Sequence, residues 1–159
     1  MGPRKLYLDD LPHCIYQGET LINKQCFENC FLLTFIISTK FASSVSLLKR
    51  VNDVYRRLMT DNEGLHQFVF LLCPCEPDDQ LFQDIPVMEE EIAALEIDFP
   101  ILRFTHIHEV LNFYQSVSIF RTPTIQVYDR KGVMVAQNIS SYFFNAEKAE
   151  THLREMLRV

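Results

Sequence analysis

The groups in this chain able to do chemistry are five cysteines, five histidines and a run of carboxylates. Cys73-Pro74-Cys75 is the most suggestive. Two thiols so close together are a candidate redox pair, because dithiol exchange needs one thiolate to attack and a second thiol to resolve the mixed disulfide. The ordinary reading is two unpaired thiols, since reactivity requires a depressed pKa and no cation stands beside them in the sequence. Closing a ring over so few residues also strains the bond. His106 and His108 would complete four ligands with these cysteines. The spacing departs from the patterns of structural zinc sites, so neither a metal nor a cofactor is expected. Cys26 and Cys30 could meet on one helical turn, but with Cys14 they read as free buried thiols, cysteine being among the most buried residue types. Asp78, Asp79, Asp84 and Glu89-Glu90-Glu91 form an acidic stripe. It is a solvated face or, as the sharper alternative, a docking surface for a basic partner. No glycine-rich phosphate loop, Ser-His-Asp arrangement or paired-carboxylate arrangement is identifiable.

These groups need elements to position them. Leu11–Tyr16 and Glu19–Asn23 flank Gln17-Gly18, which reads as a short hairpin. The continuous apolar run Phe31–Ser38 marks a strand buried on both faces. Behind Ser43 and Ser44, apolar residues at 47, 48, 51, 54, 55, 58 and 59 follow the three-and-four spacing of an amphipathic helix. A serine there is expected to cap its first turn. The turn chemistry of Thr60–Gly64 ends it. Phe68–Leu72 supplies a second buried strand, and strand, helix and strand in this order make a right-handed parallel unit. Two helical patches follow, Asp78–Ile85 and Met88–Leu95, split at Pro86 because proline cannot continue a helix. Phe99–Phe104 reads as extended, and His108–Gln115 as a helix with Val110, Leu111 and Tyr114 inward. Thr124–Tyr128 and Val133–Gln137 form a hairpin around Asp129–Gly132. Asn145 caps a last helix running to Leu157. Helices on both faces of a mixed sheet make a three-layer α/β/α sandwich. Residues 1–10 read as a tail and 11–159 as one domain.

Composition narrows the function. At 159 residues and 48% hydrophobic content, one core suffices without disulfide or metal. The net charge of −6 argues against nucleic acid, which needs a clustered Lys/Arg surface. Lys49, Arg50, Arg56 and Arg57 sit within one helix and read as its solvated face. The first residues carry no apolar run of the signal-peptide kind, and no stretch nears the ~20 residues of a membrane span. An odd cysteine count disfavours a fully paired secreted framework. The expectation is an intracellular, cytoplasmic chain, the nucleus remaining open, with reduced thiols and no membrane partner.

Four features in order resemble the thioredoxin superfamily. They are the strand FLLTFIIS running into a long amphipathic helix, Arg121-Thr122-Pro123-Thr124 directly before a strand, the hairpin IQVYDRKGVMV, and the terminal helix. FPILRF, a helix and then SIFRTPT, together with the first hairpin and the long acidic segment, resemble the nucleoredoxin and tryparedoxin branch. The resemblance covers residues 11–157. It implies a cis bond before Pro123, cheap for an X-Pro pair at ~0.5–1 kcal/mol. It also implies a W-C-x-x-C motif at the head of the long helix. That segment reads Lys40-Phe41-Ala42-Ser43-Ser44, with Phe41 at the nucleophile position and Ser44 at the resolving one. Neither side chain can exchange a disulfide.

The resemblance therefore implies a redox-inactive module that binds another protein or peptide. Its groove beside the proline loop would be an apolar platform of Phe41, Ala42, Ile119, Phe120, Thr122 and Pro123. An atypical oxidoreductase or redox sensor using Cys73 and Cys75 is the alternative. A homo-oligomer built on the acidic helices or an open sheet edge is the third.

Overall fold

A computed structural model describes residues 5–60, 67–75, 85–116 and 123–158. Its seven strands form one mixed sheet: β1 (Ile15–Gln17), β2 (Thr20–Leu21), β3 (Phe31–Ile37), β4 (Phe68–Pro74), β5 (Ile101–Leu102), β6 (Thr124–Tyr128) and β7 (Met134–Gln137). Across the sheet the order is β2-β1-β5-β4-β3-β6-β7. β3 and β4 run parallel in register Phe31↔Phe68 to Ile37↔Pro74, and β6 lies antiparallel on the other side of β3. The helices described are α1 (Ala42–Leu58), α2 (Ile85–Ala94), α3 (Ile107–Ser116) and α4 (Ala146–Met156).

All seven residues of β3 and of β4 are buried, as their unbroken apolar runs require of strands covered on both faces. Alternate side chains point to opposite faces. On one face Phe35 meets Phe70, Phe99 and Phe143, and Tyr55 of α1 packs on Phe70 and Phe99. On the other, Thr34 donates to Gln126 Oε1 at 3.2 Å, and the Tyr128 hydroxyl donates to the same oxygen at 2.9 Å. Three buried polar side chains are thus tied together, which burial makes necessary. Cys73 shares that second face, where Tyr114 of α3 feels its charge.

Several local expectations change. The first hairpin keeps only a three-residue and a two-residue strand, turning at Gly18 with φ 63°. α1 begins one residue before the serines. Phe41 is its N-cap and makes no side-chain cap bond, so neither serine caps it. Of the two helical patches the first, but for Ile85, lies outside the described residues, and the second begins at Ile85 as α2. Proline sits in its first turn, where its missing amide hydrogen would have had no partner. The extended piece near residue 100 pairs only through Ile101 and Leu102, then tightens into a 3-10 turn over Phe104–His106 that carries His106 off any strand. In α3 the inward residues are Val110, Phe113 and Tyr114, Phe113 replacing Leu111.

Asn145 caps α4 as expected, its side chain accepting from Lys148 N at 3.1 Å. The β6–β7 turn closes through Asp129, whose carboxylate accepts from Lys131 N and Val133 N. Gly132 there has φ 81°, and a Cβ would stand 2.4 Å from Leu6 O. That close approach exists because Leu6 N donates to Gly132 O at 2.7 Å. Lys5 bridges Val133 and Leu6 is buried, so residues 5–10 pack on the sheet edge and do not trail from it.

Candidate functional site

The carboxyl ends of β3 and β4 set the site. β3 ends at Ile37, Ser38–Lys40 form a short connection, and Phe41 opens α1. Ser38 is fully buried and its Oγ accepts from Lys40 N at 3.2 Å, which tightens the turn. Phe41 is 45% exposed, a large apolar side chain presented at the head of the longest helix. Ala42 beside it is exposed. Ser44, on the first turn of α1, is buried, with its amide donating to Phe41 O. Phe41 and Ser44 thus stand where the first-turn amides and the helix dipole would favour a thiolate. Neither residue carries sulfur.

Glu91 of α2 fastens this turn from across the sheet end. Its carboxylate accepts from Thr39 Oγ1 at 2.5 Å and pairs with Lys40 Nζ at 3.4 Å. The Thr39 bond holds the Glu91 carboxyl below its ordinary pKa, burial opposes it, and Lys40 adds a further lowering. Glu89 is engaged as well, accepting from the Arg103 guanidinium and from Phe104 N. The Glu89–Glu91 part of the acidic stripe is therefore not a uniformly solvated face. Two of its three carboxylates tie α2 to the site turn and to the start of α3. Asp78, Asp79 and Asp84 lie outside the described residues.

A lowered folded-state pKa means that the Glu91 clip stabilises the protein above the ordinary carboxylate range. The contribution is lost as pH falls through the folded value. Lys40 and Glu91 are each 37% exposed, so the ion pair itself is worth no more than about 0.2–1 kcal/mol. Glu91→Gln should leave global stability at neutral pH nearly unchanged. Amide hydrogen exchange at residues 39–41 should quicken in the variant, and its acid dependence should vanish.

Cys73 and Cys75 do lie at this same end. β4 carries Cys73 beside Ile36, and Cys75 N donates to Ile37 O at 3.3 Å. Pro74 can occupy the strand because β5 pairs with β4 only at Leu72, leaving no ladder bond for a proline nitrogen to miss on that side. Both thiols are buried, not exposed: Cys73 completely, Cys75 at 8%. Burial, and secondarily the charge of Cys75, push the Cys73 thiol far up. The Tyr114 hydroxyl donates to Pro74 O and closes the cluster from α3, and its own pKa is driven up by burial and then by these cysteines. A thiol desolvated in this way is a poor nucleophile. All five cysteines are outside disulfides.

Pro123 is exposed at the mouth of β6, one residue before Thr124 pairs with Ile36. It stands at the same sheet end as Phe41. Ile119, Phe120 and Thr122, the remaining platform candidates, lie outside the described residues, as does the geometry of the bond before Pro123. Sequence reasoning missed Val87 in the first turn of α2, which is 40% exposed and four residues before the Glu91 clip. Its place became legible only with the Glu91–Lys40 pairing. Among the described residues no group of three or more His, Cys, Asp or Glu side chains is arranged to hold a metal. No helix among them is long and apolar enough to cross a membrane.

No family model matches the sequence, and no curated protein matches it. Solved structures do. Tryparedoxin II from Crithidia fasciculata superposes with TM-score 0.70 at 9% identity, covering 91% of this chain and 94% of that one. Native tryparedoxin I from Crithidia fasciculata gives TM-score 0.66 at 12% identity, over 89% and 91%. The thioredoxin domain of a thiol-disulfide oxidoreductase from Bacteroides vulgatus gives 0.60 at 11%, over 83% and 82%. At such identities the likeness shows the fold, which is thioredoxin-like with the tryparedoxins among its neighbours.

Proposed function

We propose that this thioredoxin-like fold serves as a protein-binding module, without dithiol chemistry at the head of α1. The observation that carries the reading is Phe41. An aromatic ring, 45% exposed, stands at the helix head with Ser44 buried three residues on. An exposed apolar side chain of this size at the end of a rigid strand–helix junction suits an anchor for a partner's apolar segment. Ala42 beside it, Val87 one turn before Glu91 and Pro123 at the same sheet end are also exposed. The resemblance implies Ile119, Phe120 and Thr122, outside the described residues, as further members of this platform. The partner is another protein or an extended peptide. Nucleic acid and membrane are not part of the reading, and neither is a cofactor. The same reading takes the protein to act inside the cell, in the cytoplasm or the nucleus.

The second reading, an oxidoreductase using Cys73 and Cys75, is favoured by their location at the same sheet end and opposed by their burial. One assay separates the two. Reduction of insulin disulfides by the wild-type chain should not exceed that of a Cys73→Ser/Cys75→Ser variant. Turnover above this control would assign redox chemistry to Cys73 and Cys75 and reject a sheet end that serves binding alone. The complementary test is capture of partners by wild-type chain against a Phe41→Asp variant, and equal capture by both would reject the platform.

A further inference from the structure

Cys26 and Cys30 lie at the far pole of the sheet from Phe41. Cys30 directly precedes β3 and Phe41 follows it, so a seven-residue strand of about 20 Å separates them. Contrary to expectation, these thiols are not buried: Cys26 is exposed and Cys30 partly so. The reason is the path of the chain. Lys24–Phe27 is a single 3-10 turn with Asn23 as its cap, and only Lys24 and Phe27 in it are buried. Phe27 points into the core and leaves Cys26 outside.

Three tight bonds then wind the segment upon itself: Cys26 N to Asn23 O, Glu28 N to Gln25 O and Cys30 N to Phe27 O. Glu28 at φ −58°, ψ 134° and Asn29 at φ 63° make the last of these a type II turn. Such a turn brings its outer Cα atoms within about 7 Å, so Cys30 folds back beside Phe27 and its neighbour Cys26. Two further observations agree. Burial raises the Cys30 thiol, Arg130 opposes this, and Cys26 adds a smaller raising effect that requires it to stand nearby. Cys30 also borders a cavity of about 280 Å³ shared with Leu6, Glu28, Asn29 and Arg130, which leaves room for its sulfur to move.

We propose that Cys26 and Cys30 form a dithiol site that reacts with a low-molecular-weight disulfide of the glutathione type and closes into an intramolecular disulfide. The exposed Cys26 thiolate attacks one sulfur of the small disulfide, forming a mixed disulfide and releasing one small thiolate. The Cys30 thiolate then attacks the Cys26 sulfur and releases the second. The two cysteines lose two electrons and two protons, and the small disulfide gains the two electrons to become two thiols. Burial holds the Cys30 thiol above its ordinary pKa and Arg130 only partly offsets it, so the exposed Cys26 is the attacking thiol and Cys30 the resolving one. The site is independent of the binding platform.

The test uses the full chain incubated with oxidised glutathione, then alkylated, and read by intact mass and peptide mapping. Wild type is expected to become two hydrogens lighter through a Cys26–Cys30 bond that dithiothreitol reverses. Cys30→Ser should stall as a glutathione adduct on Cys26 and persist at least about tenfold longer than any adduct in wild type. A stable adduct on wild-type Cys26 with Cys30 still alkylated would overturn the proposal. So would full alkylation of both residues, or a bond from either to another cysteine.

Discussion

Replacing Phe41 by aspartate should abolish partner binding while leaving the domain at least as stable as wild type. Truncating a central apolar anchor costs about 2–4 kcal/mol of binding, or roughly 30- to 1,000-fold in affinity. Aspartate adds to this the desolvation of a charge at an apolar contact. The same substitution should not harm folding. Phe41 is 45% exposed and is the N-cap of α1 without a side-chain cap bond. Aspartate is among the best N-cap residues, and its negative charge sits favourably at the positive end of the helix. A gain of about 0.5–2 kcal/mol in urea unfolding is therefore expected. Calorimetric titration with a captured partner, next to urea melts of both proteins, checks the two halves together. Loss of binding with a raised urea midpoint is the expected pair. Unchanged affinity would remove Phe41 from the binding surface, and a lowered midpoint would show that the helix head is not as described.

The largest loss of stability is expected from Phe35→Ala. Phe35 is completely buried at the centre of β3 and meets Phe70, Phe99 and Phe143 at ring-centroid distances of 5.1, 5.7 and 5.6 Å. It joins β4, the segment before β5 and the turn that leads into α4, so no single neighbour can collapse into the space left behind. Removing such a ring costs about 3–5 kcal/mol, counting both lost transfer energy and the cavity. Domains of this size have about 5–15 kcal/mol in all, so the variant should sit near the edge of folding. Equilibrium urea unfolding followed by circular dichroism should show a large fall in midpoint with little change in slope. Phe35→Leu, which keeps more of the volume, should lose markedly less. A Phe35→Ala loss below that of Phe35→Leu would mean that the aromatic cluster is not the mechanical centre of the core.

The pole-to-pole arrangement gives the molecule a particular logic. The carboxyl end of β3 and β4 carries an exposed aromatic ring, Phe41, and two buried thiols, Cys73 and Cys75. The accessible cysteines stand at the opposite end, among turns. The proposed binding surface and the proposed dithiol site are thereby separated by the length of β3.

Much of the fold was legible because its rules are local. An apolar run such as Phe31–Ile37 can be satisfied only by burial on both faces, and the stripe from Leu47 to Leu58 only by packing one side of a helix. Their order leaves few topologies, and with them the position of Phe41 at a strand–helix junction was readable. Asn145 as a cap and Gly132 at a positive φ are likewise properties of a few consecutive residues. The tertiary structure alone decided which thiols meet solvent: Cys73 and Cys75 withdrew beneath Tyr114, while Cys26 emerged. It also decided that Glu91 would clip Lys40, 51 positions away, and that Glu89 would hold Arg103. Exposure and pairing of this kind depend on which strands become neighbours, and that is settled by the cooperative packing of the whole sheet, not by any short stretch of chain.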